Sequence, residues 1–416
     1  MSLPVSQPAA PASAPQSLVV HDRLTHELSL HYDELKALRN RRQLLASPLY
    51  AQIKGELARI LDGVERGVHP HPQPPAAADP ATPLRAVAWN IQRGQHFGQL
   101  LAALRDRPEL AAADVLLLSE VDCGMGRSGN RHVAAELASA LGMHYAFGVS
   151  YLVLGDDFLE NPDGKPNTLA LAGAAILSRW PIGRVENVDL PELRDKFSSR
   201  REKRLGKKRA LLAEVLLPEG PLVCAACHLD SNAGPRGRAR QLETLLTRSM
   251  AFAATATGDG SRSRILVGGD LNTTTYDASS PLALLRDLLH KLFVTGFNRT
   301  VEGYMCPELG YDRPLFDVLA RYGFSIEGFN DRGPGTYWYD VMSPYAVQKL
   351  HSKVGRWPTA LLQRRLRPWN GVVPARLDWF LGRDVQPVGS TVIDLRKQGE
   401  PPISDHSPIS VDIGRG

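Results

Sequence analysis

No stretch of this 416-residue chain stays apolar for long enough to cross a bilayer. The longest apolar run, Leu169 to Leu177, falls far short of a spanning helix. No basic-then-apolar leader opens the chain, because residues 1–18 are rich in Pro, Ala and Ser and carry no charge. Four cysteines are too few to staple a chain of this length, so a reducing, cytoplasmic setting is expected. There is no short-period repeat of the kind that builds solenoids. With 43% hydrophobic and 22% charged residues the composition is globular, which excludes fibrous and wholly disordered classes.

What is present is unevenly distributed. Residues 1–18 read as a disordered tail, since Pro and small side chains cannot bury a core. Residues 19–68 read as a helical extension: Leu28, Leu30, Leu35 and Leu38, then Ile53, Leu57, Ile60 and Leu61 after Pro48, recur at helical spacings. Residues 69–83 form a Pro-rich linker, and its paired His69 and His71 are expected to be solvated rather than to bind a metal. From Leu84 to the end, at residue 416, short apolar runs alternate with amphipathic segments such as Val133–Leu141 and Arg238–Met250. That alternation predicts one α/β unit with mixed sheets.

Charge is concentrated in two blocks. Residues 194–209 hold nine Lys/Arg against Asp195 and Glu202, and residues 349–367 hold six Lys/Arg and no carboxylate. The net charge is +5, so outside these blocks (+7 and +6) the chain is acidic, 5 − 7 − 6 = −8. The first block is open to two readings: a solvated, mobile loop, or an electrostatic arm in which Lys203, Arg204, Lys207 and Lys208 grip a polyanion.

Several apolar runs end abruptly in a polar residue. Val87-Ala-Trp meets Asn90; Val115-Leu-Leu-Leu-Ser meets Glu120; Leu222-Val-Cys-Ala-Ala-Cys meets His228; and Ile265-Leu-Val-Gly-Gly meets Asp270-Leu-Asn272. Asp378 sits inside Leu377–Leu381, and Asp405-His406 precedes a last strand, Ile409–Ile413. Strand ends are where α/β sheets hold ligands. Oxygen donors of this kind suit a hard divalent cation, Mg²⁺ foremost and Mn²⁺ next, while a zinc site lacks its soft ligands. Asp270 and Asn272 share one side of an extended strand, so one can take a proton from water while the other holds a substrate oxygen. An imidazole such as His406 paired with the Asp378 carboxylate is oriented and held cationic, ready to stabilise a developing anion. Metal, oriented water and imidazole together describe hydrolysis of a phosphate ester.

Trp89-Asn90, Ser119-Glu120, Ala175–Arg179, His228-Leu229, Gly269-Asp-Leu-Asn272, Leu377-Asp-Trp379 and Ser404-Asp-His-Ser-Pro408 occur in a telling order. In this the chain resembles the endonuclease/exonuclease/phosphatase superfamily over about residues 84–414. That superfamily includes deoxyribonuclease-I-like nucleases, abasic-site endonucleases, neutral sphingomyelinases, inositol polyphosphate 5-phosphatases and deadenylases. The resemblance implies a four-layer α-β-β-α sandwich with the site at one end of its paired sheets. It implies that Glu120 is the principal Mg²⁺ ligand with Asn90 beside it, and that Asp405 is an acid of the metal site. It further implies that Asp270 orients or deprotonates water, Asn272 positions phosphate, His228 contacts phosphate, and His406 with its partner Asp378 stabilises the transition state. Residues 1–83 fall outside the resemblance, and residues 273–370 align with no one subfamily.

The reading that follows is a Mg²⁺-dependent phosphoesterase, with DNA or RNA as substrate ahead of a lipid or inositol phosphate. The alternative of another class is a silent phosphate- or nucleic-acid-binding module on the same fold. Cys224-Ala-Ala-Cys-His228 matches the haem attachment pattern, but in an apolar strand the two thiols face opposite sides, so no haem is expected. Asn298-Arg-Thr300 fits a glycosylation pattern without a secretory signal to support it. Tyr337, Trp338 and Tyr339 suit either packing or base stacking.

Overall fold

The computed structural model describes residues 18–73, 79, 81–155, 161, 163–198, 202–255, 264–273, 281–290, 294, 296–343, 347, 350–351, 355–367, 371–396 and 402–415. The tail expected over residues 1–18 lies outside them except for Leu18, as do Arg200 and Arg201 of the first basic block and Lys349 and Lys353 of the second.

In chain order the strands are β1 (Val19–His21), β2 (Val64–Val68), β3 (Leu84–Arg93), β4 (Val115–Cys123), β5 (His144–Val153) and β6 (Leu171–Ser178). They continue with β7 (Ile182–Asp189), β8 (Arg204–Gly206), β9 (Arg209–Leu217), β10 (Gly220–His228) and β11 (Arg264–Asp270). The last are β12 (Tyr337–Asp340), β13 (Val372–Ala375), β14 (Asp378–Arg383), β15 (Pro387–Val392) and β16 (Ile409–Ile413). Among the described residues they form a nine-stranded sheet, β1-β2-β5-β6-β4-β3-β16-β15 with β8 also on β5. A five-stranded sheet runs β14-β11-β10-β9-β7, and β12-β13 make a separate ribbon. The sheets are mixed, since β3 with β4 and β10 with β11 are parallel while their other neighbours are antiparallel.

The continuous apolar runs are explained by burial of both faces of each sheet. Along β10, Val223, Ala225 and Cys227 face the helices Pro235–Ala254 and Arg313–Tyr322, packing on Leu242, Leu245, Leu315 and Val318. The alternate residues Leu222, Cys224 and Ala226 enter the layer between the sheets, with Ala86, Ala88 and Leu117 of the other sheet. On the far side of the nine-stranded sheet, Val87, Trp89, Leu116 and Leu118 pack on helices Pro48–Asp62, Phe97–Asp106 and Val133–Leu141. The result is the four-layer α-β-β-α sandwich. It also puts Cys224 and Cys227 into two different cores.

The segment before residue 69 differs from a purely helical extension. Its helices Tyr32–Ala37, Arg41–Ala46 and Pro48–Asp62 are present, but β1 and β2 flank them and lengthen the large sheet, β2 pairing antiparallel with β5. Periodicity alone hides such short flanking strands, because three to five residues carry too little pattern. Leu28, Leu35, Ile53, Leu57 and Ile60 enter the core, whereas Leu30 is exposed. His69 is also not solvated: it is buried, its backbone N–H donating to His144 Nδ1 at 3.2 Å.

Candidate active site

Backbone pairing gathers most of the polar strand ends. In the five-stranded sheet His228, Asp270 and Asp378 stand side by side on β10, β11 and β14, because His228 pairs with Asp270 and Asp270 with Asp378. The preceding Gly269 has φ +142°, and a Cβ there would lie 2.1 Å from the Cys227 carbonyl oxygen, so only glycine lets β11 approach β10 this closely. In the other sheet Asn90 pairs with Ser119, and the registers slip just beyond, between Asn90 and Arg93 and between Ser119 and Val121. Glu120 is the extra residue of that bulge and has φ +53°. Non-glycine residues enter this region at a cost of about 1–3 kcal/mol, and bulges of this kind re-aim side chains.

Asp270 is the hub. Its Oδ1 accepts the Asn272 backbone N–H at 2.7 Å. Its Oδ2 accepts from Asn90 Nδ2 at 3.2 Å and lies 3.5 Å from His228 Nε2 and 3.7 Å from His406 Nε2. Asn272, itself at φ +49°, is held by a bond from its Nδ2 to the Leu229 carbonyl at 2.9 Å. His406 Nδ1 meets Asp378 Oδ2 at 2.7 Å. The same oxygen accepts from Thr336 Oγ1 at 2.8 Å, and Thr336 Oγ1 in turn accepts the N–H groups of Leu377 and Asp378, each at 3.0 Å. The loop carrying His406 is pinned by Ser404, whose hydroxyl donates to the Asn90 carbonyl and accepts the His406 N–H.

Burial and neighbouring charges set the ionisation of these groups. Burial pushes the Asp270 carboxyl up to about 7, against the pull of His406 and with a further push from Asp378. Burial works against a charged His406, but Asp378 and Asp270 outweigh it and hold the imidazole well above its usual value. His228 goes the other way, pushed well down by burial and by Lys208. Glu120 is also opposed by burial, yet Arg93, His228 and Lys208 together hold it well below the carboxylate range. Burial raises Asp405 against the pull of His406.

Glu120 is the residue best suited to a cation. Its side chain is 26% exposed, the Arg93 guanidinium and the His228 ring approach it no nearer than 3.9 Å, at Arg93 Nε and His228 Nδ1, and no hydrogen-bond donor among the described residues reaches it. An ionised, accessible carboxylate without donors fits a hard divalent ion. Ligand atoms of Asp270, Asp378 and His406 also lie within 4.8 Å of one another, a grouping of metal-ligand type. There, however, Asp378 Oδ2 already holds His406 and Thr336.

The four basic residues expected to form an arm are placed otherwise. Lys203 Nζ donates to the carbonyls of Lys36 and Leu38 at the end of the helix Tyr32–Ala37. Arg204 pairs with Glu202, and Lys207 with Asp189. Lys208 alone turns toward the site. It is half-buried, it adds to the field at Glu120, His228, Asp230 and Asp270, and no acceptor among the described residues engages its ammonium. Burial pushes its pKa down to about 8, against Asp230 and Glu120. Sequence reasoning missed Thr336, Arg93, the position of Lys208, and Asp230, which Lys196 meets at 3.2 Å. The His228-Leu-Asp230 and Asn90–Arg93 spacings were the available signals; Thr336 sits in the stretch, residues 273–370, that aligns with no one subfamily.

A model of the Endonuclease/Exonuclease/phosphatase family matches residues 87–406. Solved structures similar to the chain include an endonuclease/exonuclease/phosphatase from Beutenbergia cavernae DSM 12333, at 18% identity, covering 80% of this chain and 71% of that one, with a TM-score of 0.48. A sphingomyelinase C from Streptomyces griseocarneus shares 15% identity over 79% of this chain and 99% of its own, with a TM-score of 0.42. A 3'-5' exonuclease from Neisseria meningitidis shares 13% identity over 79% and 99%, with a TM-score of 0.41. No curated protein sequence matches the chain.

Proposed function

The chain belongs to the endonuclease/exonuclease/phosphatase family, whose members are phosphoester hydrolases, and on that premise we propose a Mg²⁺-dependent phosphodiesterase that acts on nucleic acid. The observation that carries the reading is the convergence on Asp270 Oδ2 of Asn90, His228 and His406. Asp270, with a carboxyl poised near neutral pH, takes a proton from the attacking water. Asn272 holds an oxygen of the phosphate. His406, kept cationic by Asp378, stabilises the charge that develops on the phosphate oxygens, and His228, kept neutral, contributes a ring N–H. Glu120, with Asn90 and Asp405, would hold the divalent cation, which when bound supplies positive charge against the phosphate.

An activity panel tests this: single-stranded DNA, RNA, abasic duplex, sphingomyelin, inositol polyphosphates and a generic phosphodiester, each with Mg²⁺ and with EDTA. Nucleic-acid hydrolysis that EDTA abolishes is expected. Turnover of only the lipid or inositol phosphates would move the substrate class, and binding without turnover would make the protein a binding module. Among the described residues no helix is long and apolar enough to cross a membrane.

A further inference from the structure

Among the described residues of the second basic block, Arg356–Arg365 form a helix that runs on to Leu366 and Arg367. One side of this helix is spent on the protein. Leu362 and Leu366 pack with Val341 and Val373, and with Tyr339 of β12. Tyr339 stacks on Tyr337 with ring centroids 6.4 Å apart, and the Tyr337 ring lies 4.9 Å from that of His406. The helix therefore rests on a ribbon whose other end borders the catalytic histidine.

The outward side is of one chemistry. At about 100° per residue, Arg356, Trp357, Ala360, Arg364 and, continuing the turn past the helix end, Arg367 fall within one arc of roughly 100°. All five are exposed, Trp357 at 76%. Among the described residues none of the three arginines has a carboxylate or other acceptor within reach, and neither does the neighbouring Arg365. Arg356 and Arg364 stand about 12 Å apart along the axis, from a rise of 1.5 Å per residue. Unpaired guanidinium groups in a row match the phosphates of a polyanion, and an aromatic face among them matches a base.

We propose that this face binds a single-stranded segment of nucleic acid, with Arg356, Arg364 and Arg367 on its phosphates and Trp357 stacked on a base. The proposal rests on the phosphodiesterase reading of the adjoining site and names where the rest of a long substrate lies. An anionic membrane is the poorer match. A helix that lies in a lipid surface needs an apolar face to insert, and here that face is already covered by the ribbon, leaving only Trp357, Pro358 and Ala360 outside.

The test compares the full-length wild type with the triple variant Arg356→Ser, Arg364→Ser, Arg367→Ser and with Trp357→Ala. Binding of a fluorescent single-stranded oligonucleotide is followed by anisotropy across a salt series, and hydrolysis of bis-p-nitrophenyl phosphate reports on the catalytic site separately. The triple variant should weaken oligonucleotide binding by at least about tenfold and flatten the log–log salt slope by roughly 2, at about 0.7 per phosphate contact. Trp357→Ala should weaken binding roughly tenfold without changing that slope. Both variants should hydrolyse the small diester as the wild type does and give its circular dichroism spectrum. An unchanged affinity and slope in the triple variant would overturn the proposal. So would a wild type that binds phosphatidylserine vesicles through these arginines but not the oligonucleotide. A wild type that hydrolyses neither substrate yet loses oligonucleotide binding with the arginines would remove the reaction assigned above while supporting this surface.

Discussion

The two basic blocks look alike in the sequence and have opposite fates in the fold. Most of the described cations of residues 194–209 are consumed internally. Lys196 meets Asp230, Arg204 meets Glu202, Lys207 meets Asp189, and Arg209, 5% exposed, bridges Asp62 and Asp189. Lys203 caps the carbonyl end of a helix in the N-terminal segment, and Lys208 lends its charge to Glu120, His228 and Asp270 of the candidate site. The second block keeps Arg356, Arg364, Arg365 and Arg367 exposed, with no acid in reach among the described residues. Neighbouring strands explain the difference. The β7–β9 register places Asp189 opposite Arg209, so sheet formation itself delivers the counter-charge. The helix Arg356–Arg365, on an outer ribbon, meets no described acid on its outward side. Charge density along a chain therefore says little about where charge remains available.

The largest effect expected is on the chemistry proposed at Asp270, apart from either block. Asp270→Asn should leave folding and oligonucleotide binding intact while lowering turnover by more than about a hundredfold, the scale of losing a general base. Kinetics beside anisotropy would show it, and comparable losses in both would break the separation between site and helix.

Next comes Lys208→Met, which should lower kcat roughly ten- to a hundredfold with little change in KM, since its charge acts at the reacting phosphate. Substitution of the outer arginines should instead raise KM. A Lys208 effect confined to KM would place it with the second block. The wild type should also lose kcat/KM as pH rises through about 8, because the Lys208 ammonium is charged below that value and neutral above it. Lys208→Arg should remove this alkaline decline while keeping activity.

Stability should divide the blocks as well. Arg209→Ala strips two exposed acids of a buried partner and should cost about 1–3 kcal/mol in urea unfolding. Arg364→Ala should stay within about 0.5 kcal/mol, as surface changes do. Equal costs would mean that the outer helix is pinned by contacts of its own.

The smallest effect is local: Asp378→Asn should lower the pKa of His406, because it removes the carboxylate that favours the imidazolium. NMR titration of the ring measures it, and an unmoved value would assign the stabilisation to Asp270 alone.

Much of the site was legible before folding, for a definite reason. A polar residue that ends an apolar strand breaks a pattern that burial otherwise enforces, so Asn90, Glu120, His228 and Asp270 announce themselves one by one. The strands behind them were legible too, because both faces of each are buried and their runs are uninterrupted. Thr336 was not, since a hydroxyl in a loop breaks no pattern, and Arg93 stood out less because it lies beyond Asn90, where the apolar run has already ended.

The sequence determined the long apolar strands β3, β4, β6, β9, β10 and β11 and the helices Val133–Leu141 and Pro235–Ala254 to within a few residues, and it marked the polar groups at the strand ends as candidates for phosphate-ester chemistry. These depend on local periodicity and residue type, which the chain carries without reference to its neighbours. Which of those groups meet was left to the sheets. The parallel register of β10 and β11 sets His228 beside Asp270, the bulge at Glu120 turns a strand residue toward the other sheet's cluster, and Asp189 of β7 meets Lys207 and Arg209 of one basic block while no described acid meets Arg356, Arg364, Arg365 or Arg367 of the other. Such pairings join residues from about forty to more than three hundred positions apart, as with His228 and Asp270 or Asn90 and Ser404. Charge, pKa and availability at these positions are properties of the pairing and not of either residue alone.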